Sequence, residues 1–182
     1  MRISYHKRIQ YLHEEELRKL TTTDMLTGAY NRTIFYSELE KWISYDQRYP
    51  TELALIMFDI DDFKKVNDTF GHLIGDKVLT QITKQVQGCI RSYDIFTRWG
   101  GEEFIILAPN TSLEQAIELA TRIKGVIYDA EYEKVSTISC SFVVTLHHEG
   151  DSSDSLITRV NQLLYYAKES GKNRVAYRQN VS

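Results

Sequence analysis

The stretch Leu53-Ala54-Leu55-Ile56-Met57-Phe58 is an unbroken apolar run of strand length, the pattern of a strand covered on both faces. It stops abruptly at Asp59-Ile60-Asp61-Asp62. Ahead of it, residues 31–45 set Ile34, Phe35, Leu39 and Trp42 on one helical face, with Asn31 as the capping residue. Behind it the pattern predicts a short helix over 63–67 and a glycine-punctuated loop over 69–75. Asp76 then opens a helix carrying Leu79, Ile82, Val86 and Ile90 at steps of three and four. Strands over 93–99 and 103–108 meet through Gly100-Gly101, a hairpin signal. Thr111 with Glu114 predicts a capping box for a helix bearing Leu113, Ile117, Ala120 and Ile123. A β-branched strand over 135–146, a helix marked by Leu156, Val160, Leu164 and Ala167, and a closing strand over 174–177 complete the chain. Residues 3–20 read as a charged helix whose thin apolar stripe (Tyr5, Ile9, Leu12, Leu17, Leu20) suits pairing with a second helix. The composition shifts at Thr21-Thr22-Thr23-Asp24, which divides a linker helix over 1–21 from a main domain over 22–182. This order predicts an α+β fold, a mixed α/β sandwich in which helices cover a sheet of about five strands containing antiparallel pairs.

Length and composition narrow the function classes. A chain of 182 residues fits one domain, and 42% hydrophobic with 26% charged residues excludes wholesale disorder. A net charge of -3 lacks the basic excess of a protein that grips long nucleic acid, but leaves small phosphate ligands open. The two cysteines, Cys89 and Cys140, form no CxxC pair, so they suggest reduced thiols rather than a disulfide framework or a zinc site. The start has no signal-peptide run and no stretch reaches the ~18 apolar residues of a membrane span, so a soluble, cytoplasmic protein is expected.

Candidate chemistry gathers in three places. A carboxylate at Asp59, closing an apolar strand, is costly unless something positive meets it. Hard divalent cations take such oxygens together with substrate phosphates. The segment alone leaves Asp59 open between metal ligand and structural acid, and favours a helix N-cap for Asp61 or Asp62. At the hairpin, Gly100 and Gly101 allow a tight turn and close approach of a ligand. Glu102 and Glu103 then enter an apolar strand, with side chains expected on opposite faces. The third group is Lys64, Asn67, His72 and Asp76, set around Gly71 and Gly75. Amide and carboxylate can read the edge of a purine, and an ammonium suits phosphate. Taken singly, Asp76 also fits an N-cap, His72 a loop hydrogen bond and Lys64 a solvated face.

Together these stretches resemble the GGDEF family, the diguanylate cyclases. Gly100-Gly101-Glu102-Glu103-Phe104, preceded by Arg98-Trp99, matches the GGEEF form of the family signature. Asp24-Met25-Leu26-Thr27-Gly28-Ala29-Tyr30-Asn31-Arg32 is similar to the family's opening D-x-L-T-G-x-x-N-R, and residues 58–72 with Gly75-Asp76 match its longest motif. Ala167-Lys168-Glu169-Ser170-Gly171-Lys172-Asn173-Arg174 resembles its closing segment. Three positions depart from the family pattern: Ser141 for a usual Gly, Asn161 for Asp, and Lys172 for the commoner Arg.

The resemblance implies a sheet like that of polymerase palms and nucleotidyl cyclases, and condensation of two GTP into cyclic di-GMP with release of two pyrophosphates. It implies two Mg2+ (or Mn2+) ions held by Asp59, the Ile60 carbonyl, Glu102 and Glu103. Glu102, shared with Glu103, would take the 3′-hydroxyl proton, and Lys64 would neutralise phosphate charge. Asn67 and Asp76 would read guanine, His72 would border the nucleotide, and Lys168 and Lys172 would hold the β- and γ-phosphates. Arg91-Ser92-Tyr93-Asp94 matches the family's inhibitory RxxD motif, with Arg122 as a second contact for bound cyclic di-GMP. Two protomers must face each other, so the resemblance implies a homodimer, transient or driven by the N-terminal helix and an upstream sensor, with the chain as the cytoplasmic, catalytic end of a longer sensor protein that is either soluble or membrane-attached. Two rivals stand beside this: a non-catalytic cyclic di-GMP receptor using Arg91 and Asp94, and an enzyme of relaxed base choice, against which Asp76 argues.

Overall fold

The computed structural model describes Arg8 and residues 22–177, apart from 47 and 50. The helix expected over 3–20 therefore lies outside the described residues but for Arg8. Among the described residues the order is α1 (Arg32–Asp46), β1 (Leu53–Ile60), α2 (Phe63–Phe70), α3 (His72–Gln87), β2 (Ile95–Gly100) and β3 (Glu103–Pro109), then α4 (Leu113–Tyr128), β4 (Cys140–Leu146), α5 (Ser153–Glu169) and β5 (Val175–Tyr177).

The strands form one sheet in the order β2-β3-β1-β4-β5. β1 lies at its centre, antiparallel to β3 and β4; β2 pairs antiparallel with β3, and β5 runs parallel to β4. The pleat of β1 sorts its side chains between two helical layers. Ala54, Ile56, Phe58 and Ile60 pack under α2, α3 and α4, through residues such as Phe63, Val78, Ile82 and Ile123. Leu53, Leu55 and Met57 pack under α1 and α5, through Phe35, Leu39, Val160 and Leu164. Helices on both faces explain why β1 has no polar alternation and is buried throughout. The α+β sandwich and the element order expected from the sequence are those observed.

Several local expectations are corrected. The helix expected from Asp76 starts at His72, and α2 continues to Phe70, so the loop over 69–75 shrinks to a break at Gly71 with φ 85°. Asp76 thus lies inside α3 and caps nothing. Asp62 stands at the cap position of α2 in a left-handed conformation without a side-chain cap bond, and Asp61 is drawn inward instead. The capping box is Ser112 with Gln115, not Thr111 with Glu114, because Thr111 is buried with its hydroxyl on the Pro109 carbonyl. β4 starts at Cys140 rather than 135: Val135 and Ile138 are apolar because they are buried in the core, without strand pairing. On α1 the deepest residues are Phe35, Leu39 and Ile43, while Ile34 and Trp42 are half-buried. Cys140 is buried, Cys89 only partly so, and both thiols are free. Among the described residues no helix is long and apolar enough to cross a membrane.

Candidate active site

Asp59 sits at the end of β1, opposite Glu103 on β3 and Ser141 on β4. It is 3% exposed, and the Lys168 ammonium from α5 meets its Oδ2 at 2.7 Å. Burial pushes its carboxyl up to about 6; Lys168 opposes the shift, while Glu102 and Glu103 add to it. Both glutamates are half-buried. Because Gly100 pairs with Glu103, the hairpin loop is Gly101-Glu102. Glu102 therefore projects from the turn and not from a strand, which corrects the opposite-face expectation. Gly101 carries φ 47°, the positive value that a tight two-residue hairpin asks of its first loop position. The Glu102 carbonyl accepts from the Ile60 N–H at 3.3 Å, which closes the turn onto the end of β1.

Arg98 braces that turn. Its Nε and Nη2 donate to the Gly101 carbonyl at 2.9 and 2.8 Å, and its Nη1 reaches Asp24 Oδ1 at 3.0 Å. Asp24 also accepts from the Thr27 N–H and hydroxyl. Between Arg98 and Gly100 the ladder slips, and the Trp99 ring packs against Phe35 and Tyr36 with the Arg32 guanidinium 4.3 Å above it. Arg32 Nε also donates to the Trp99 carbonyl.

Beside the turn, α2 and α3 wall a cleft of about 450 Å³ that brings together Lys64, Asn67, His72, Asp76 and Glu102. The two helices meet so closely that a Cβ on Gly75 would stand 1.9 Å from Asn67 Oδ1. The helix from which Asp76 projects therefore depends on having no side chain one position earlier.

The turn between α5 and β5 lies at the same end of the sheet, tied to the end of β1. Lys172 Nζ lies 2.9 Å from Asp62 Oδ1, so three consecutive ties fasten this segment to the end of β1: Lys168 to Asp59, the Asn173 N–H to Asp61, and Lys172 to Asp62.

The residues fit a hard cation. Glu102 and Glu103 stand near enough to Asp59 to add to the rise that burial imposes on its carboxyl, with Lys168 as the opposing charge. Among the described residues no three carboxylate, imidazole or thiol groups form a ready cage. Mg2+ needs no such cage, since it binds through one or two carboxylates with substrate phosphates completing the shell.

The model described as "Diguanylate cyclase, GGDEF domain" matches residues 21–174. The chain belongs to the GGDEF family. It is 37% identical over 90% of its length to the diguanylate cyclase DgcP of Pseudomonas aeruginosa, and 37% identical over 89% to the diguanylate cyclase DgcM of Escherichia coli K12. It spans 25% and 40% of those proteins. Among solved structures it is similar to the coiled coil and GGDEF domain of DgcB from Caulobacter crescentus in complex with c-di-GMP: TM-score 0.87, 28% identity, 94% of this chain and 93% of that one.

A second cavity of about 200 Å³ in this GGDEF domain is lined by Arg91, Asp94 and Arg122 among others. Asp94 Oδ2 accepts from the Arg91 N–H at 2.7 Å, while its buried Oδ1 has no hydrogen-bond partner among the described residues. Burial raises its carboxyl. Arg91 leans on Tyr93, its Nη1 3.0 Å from the phenol oxygen, and Arg122 Nη2 donates to the Cys89 carbonyl at 2.8 Å. Asp24, Arg32 and Arg98, which shape the GGDEF turn, escaped the residue-level reading. Their one signal was that they fall inside quoted motifs; 74 positions separate Asp24 from Arg98.

Proposed function

We propose that this domain is a diguanylate cyclase, joining two GTP molecules into cyclic di-GMP and releasing two pyrophosphates. One observation carries the reading: Asp59, Glu102 and Glu103 come together where the β2–β3 hairpin meets the end of β1, beside a cleft that holds Lys64, Asn67, His72 and Asp76. Membership of the family and the names of DgcP and DgcM support it, as does the c-di-GMP bound to DgcB.

Asp76 accepts from guanine N1–H and N2–H, Asn67 donates to and accepts from the same edge, and His72 borders the nucleotide. Adenine offers no such donor pair to a carboxylate. Lys168 and Lys172 take the β- and γ-phosphates, and Lys64 meets the charge that develops at the α-phosphate. Asp59, the Ile60 carbonyl, Glu102 and Glu103 would hold two divalent cations, Mg2+ or Mn2+, which when bound would supply charge to neutralise the triphosphate and to lower the pKa of the attacking hydroxyl. Glu102, with Glu103 beside it, takes the 3′-hydroxyl proton. One protomer presents one GTP, so the 3′-hydroxyl comes from a second protomer across a two-fold axis, and the segment ahead of residue 22 drives that pairing under an upstream sensor. The cytoplasm is the compartment of action.

Cyclic di-GMP binds back at Arg91, Asp94 and Arg122 and inhibits. The unsatisfied Asp94 Oδ1 favours a ligand there, and it is also the observation behind the second reading, a receptor without catalysis. Purified protein incubated with GTP and Mg2+, its products read by mass, tests both. We expect cyclic di-GMP, lost in Glu102→Ala, and relief of product inhibition in Arg91→Ala. Tight cyclic di-GMP binding without any product in the unaltered protein overturns the cyclase in favour of the receptor.

A further inference from the structure

Of the three aspartates that close β1, Asp61 has been given no part in the chemistry. It is 7% exposed, and both of its oxygens are engaged. Oδ2 accepts from the Ser139 hydroxyl at 2.7 Å and from the Asn173 N–H at 3.0 Å; Oδ1 accepts from the Ser141 hydroxyl at 2.6 Å. Its own N–H donates to the Ser139 carbonyl at 2.9 Å. The residue thus knots three segments together: the end of β1, the entry to β4, and the turn between α5 and β5.

That turn has an unusual backbone. Gly171, Lys172 and Asn173 carry φ of 110°, 57° and 45° in succession. Two adjacent non-glycine residues in the left-handed region persist only where their surroundings over-determine them. The start of the turn is held by backbone bonds to the end of α5, the Gly171 N–H on the Lys168 carbonyl at 3.3 Å and the Lys172 N–H on the Ala167 carbonyl at 3.2 Å; its far end is held by the Asn173 N–H on Asp61 and the Lys172 ammonium on Asp62. The Lys172–Asp62 pair is exposed and screened by water; the Asn173–Asp61 bond is part-buried and ends on a buried carboxylate.

We propose that Asp61 is a positioning residue: its buried carboxylate holds the 171–173 turn in shape and so sets where Lys172 presents its ammonium to the nucleotide triphosphate. This rests on the reading of Lys172 as a phosphate ligand. Ser141, which stands where the family usually carries Gly, supplies the donor to Oδ1, and its hydroxyl can reverse its role. In Asp61→Asn the amide oxygen keeps the Oδ2 position, where the Asn173 N–H can only donate. The amide nitrogen falls opposite Ser141, whose hydroxyl turns to accept. Asparagine is therefore tolerated here on condition that Ser141 is present.

The test measures, in the full chain with Mg2+, calorimetric affinity for a non-hydrolysable GTP analogue and amide hydrogen exchange over residues 170–174. Asp61→Asn keeps affinity within about twofold. Asp61→Ala, and Asp61→Asn combined with Ser141→Ala, weaken it about tenfold, the loss of roughly one charge-assisted contact. Both accelerate exchange over 170–174. The weakening matches that of Lys172→Ala, and adding Lys172→Ala to either gives no further loss, a non-additivity that general loosening of the fold does not produce. The combined Asn/Ala variant serves if Asp61→Ala fails to fold. Unchanged affinity in Lys172→Ala overturns its phosphate role and this inference with it. A weakened Lys172→Ala beside unaffected Asp61 variants, or losses that simply add, overturns the inference alone.

Discussion

Gly75 and Asn67 touch across the meeting point of α2 and α3, and the contact makes a glycine as specific as any polar residue of the cleft. A methyl group at Gly75 would lie 1.9 Å from Asn67 Oδ1 and 3.2 Å from the Phe63 ring. Phe63 is buried and has nowhere to go, so the amide must swing away. Gly75→Ala should therefore leave the fold intact while raising KM for GTP about tenfold, the cost of roughly one hydrogen bond to the base. Steady-state kinetics beside a thermal melt check it: an unchanged KM would remove Asn67 from the nucleotide. The sequence made the residue types around Gly75 legible, since an amide and a carboxylate flanking two glycines suggested a purine edge. It hid why the second glycine is there, because that reason is a contact between two helices.

Elements away from the cleft carry a different burden. At the opposite end of the sheet from Asp59, Asp151 accepts from Arg159 and from the His148 N–H, fastening the start of α5 to the last residues of β4. Burial works to raise the Asp151 carboxyl, but Arg159, His148 and Ser155 together hold it below the ordinary value of 3.8. A depressed acid contributes stability that is complete above 3.8 and is lost as pH falls through the lower folded value. Asp151→Asn should cost about 1 kcal/mol at neutral pH, and the gap from the unaltered protein should close in strong acid. Urea titrations at pH 7 and near pH 3 measure both. A gap that persists undiminished in acid would show that the charge is not the cause. Elements themselves were legible wherever burial and pairing coincide, as in β1 and β3. They were misread where the two part: Val135 and Ile138 are buried without pairing, and Gly75 is helical without helix propensity. Spacing along the chain registers neighbours on one element, so the Asp24–Arg98 and Asp61–Asn173 contacts left no trace in it.

For the molecule as a whole, both helical layers and the β2–β3 hairpin converge on one end of the sheet. Lys64, Asn67, His72 and Asp76 come from α2 and α3 on one face, Lys168 from α5 and Lys172 from the turn after it on the other, and Asp59, Glu102 and Glu103 from the strand ends and the hairpin turn between them. The RxxD cavity lies at the other end of β2, with Gly100 about 20 Å further along the strand at ~3.3 Å per residue. Under the proposed product inhibition, a ligand bound there would act on the turn through the strand or on how two protomers meet, not by competing for the cleft.

The pairing of Lys168 with Asp59 and of Lys172 with Asp62 gives this end of the sheet the character of an ion exchanger. Lys168 and the buried Asp59 neutralise each other, so a bare anion gains that lysine only by stranding a buried carboxylate, and a bare cation does the reverse; the exposed Lys172–Asp62 pair is already screened by water. A ligand that brings both signs at once strands neither. GTP and Mg2+ should therefore each tighten the binding of the other by the same factor, as linkage requires. Titrating one at several fixed concentrations of the other measures that factor. Replacing Lys168 with Met should shrink it, because Asp59 would then accept the cation with no partner to surrender.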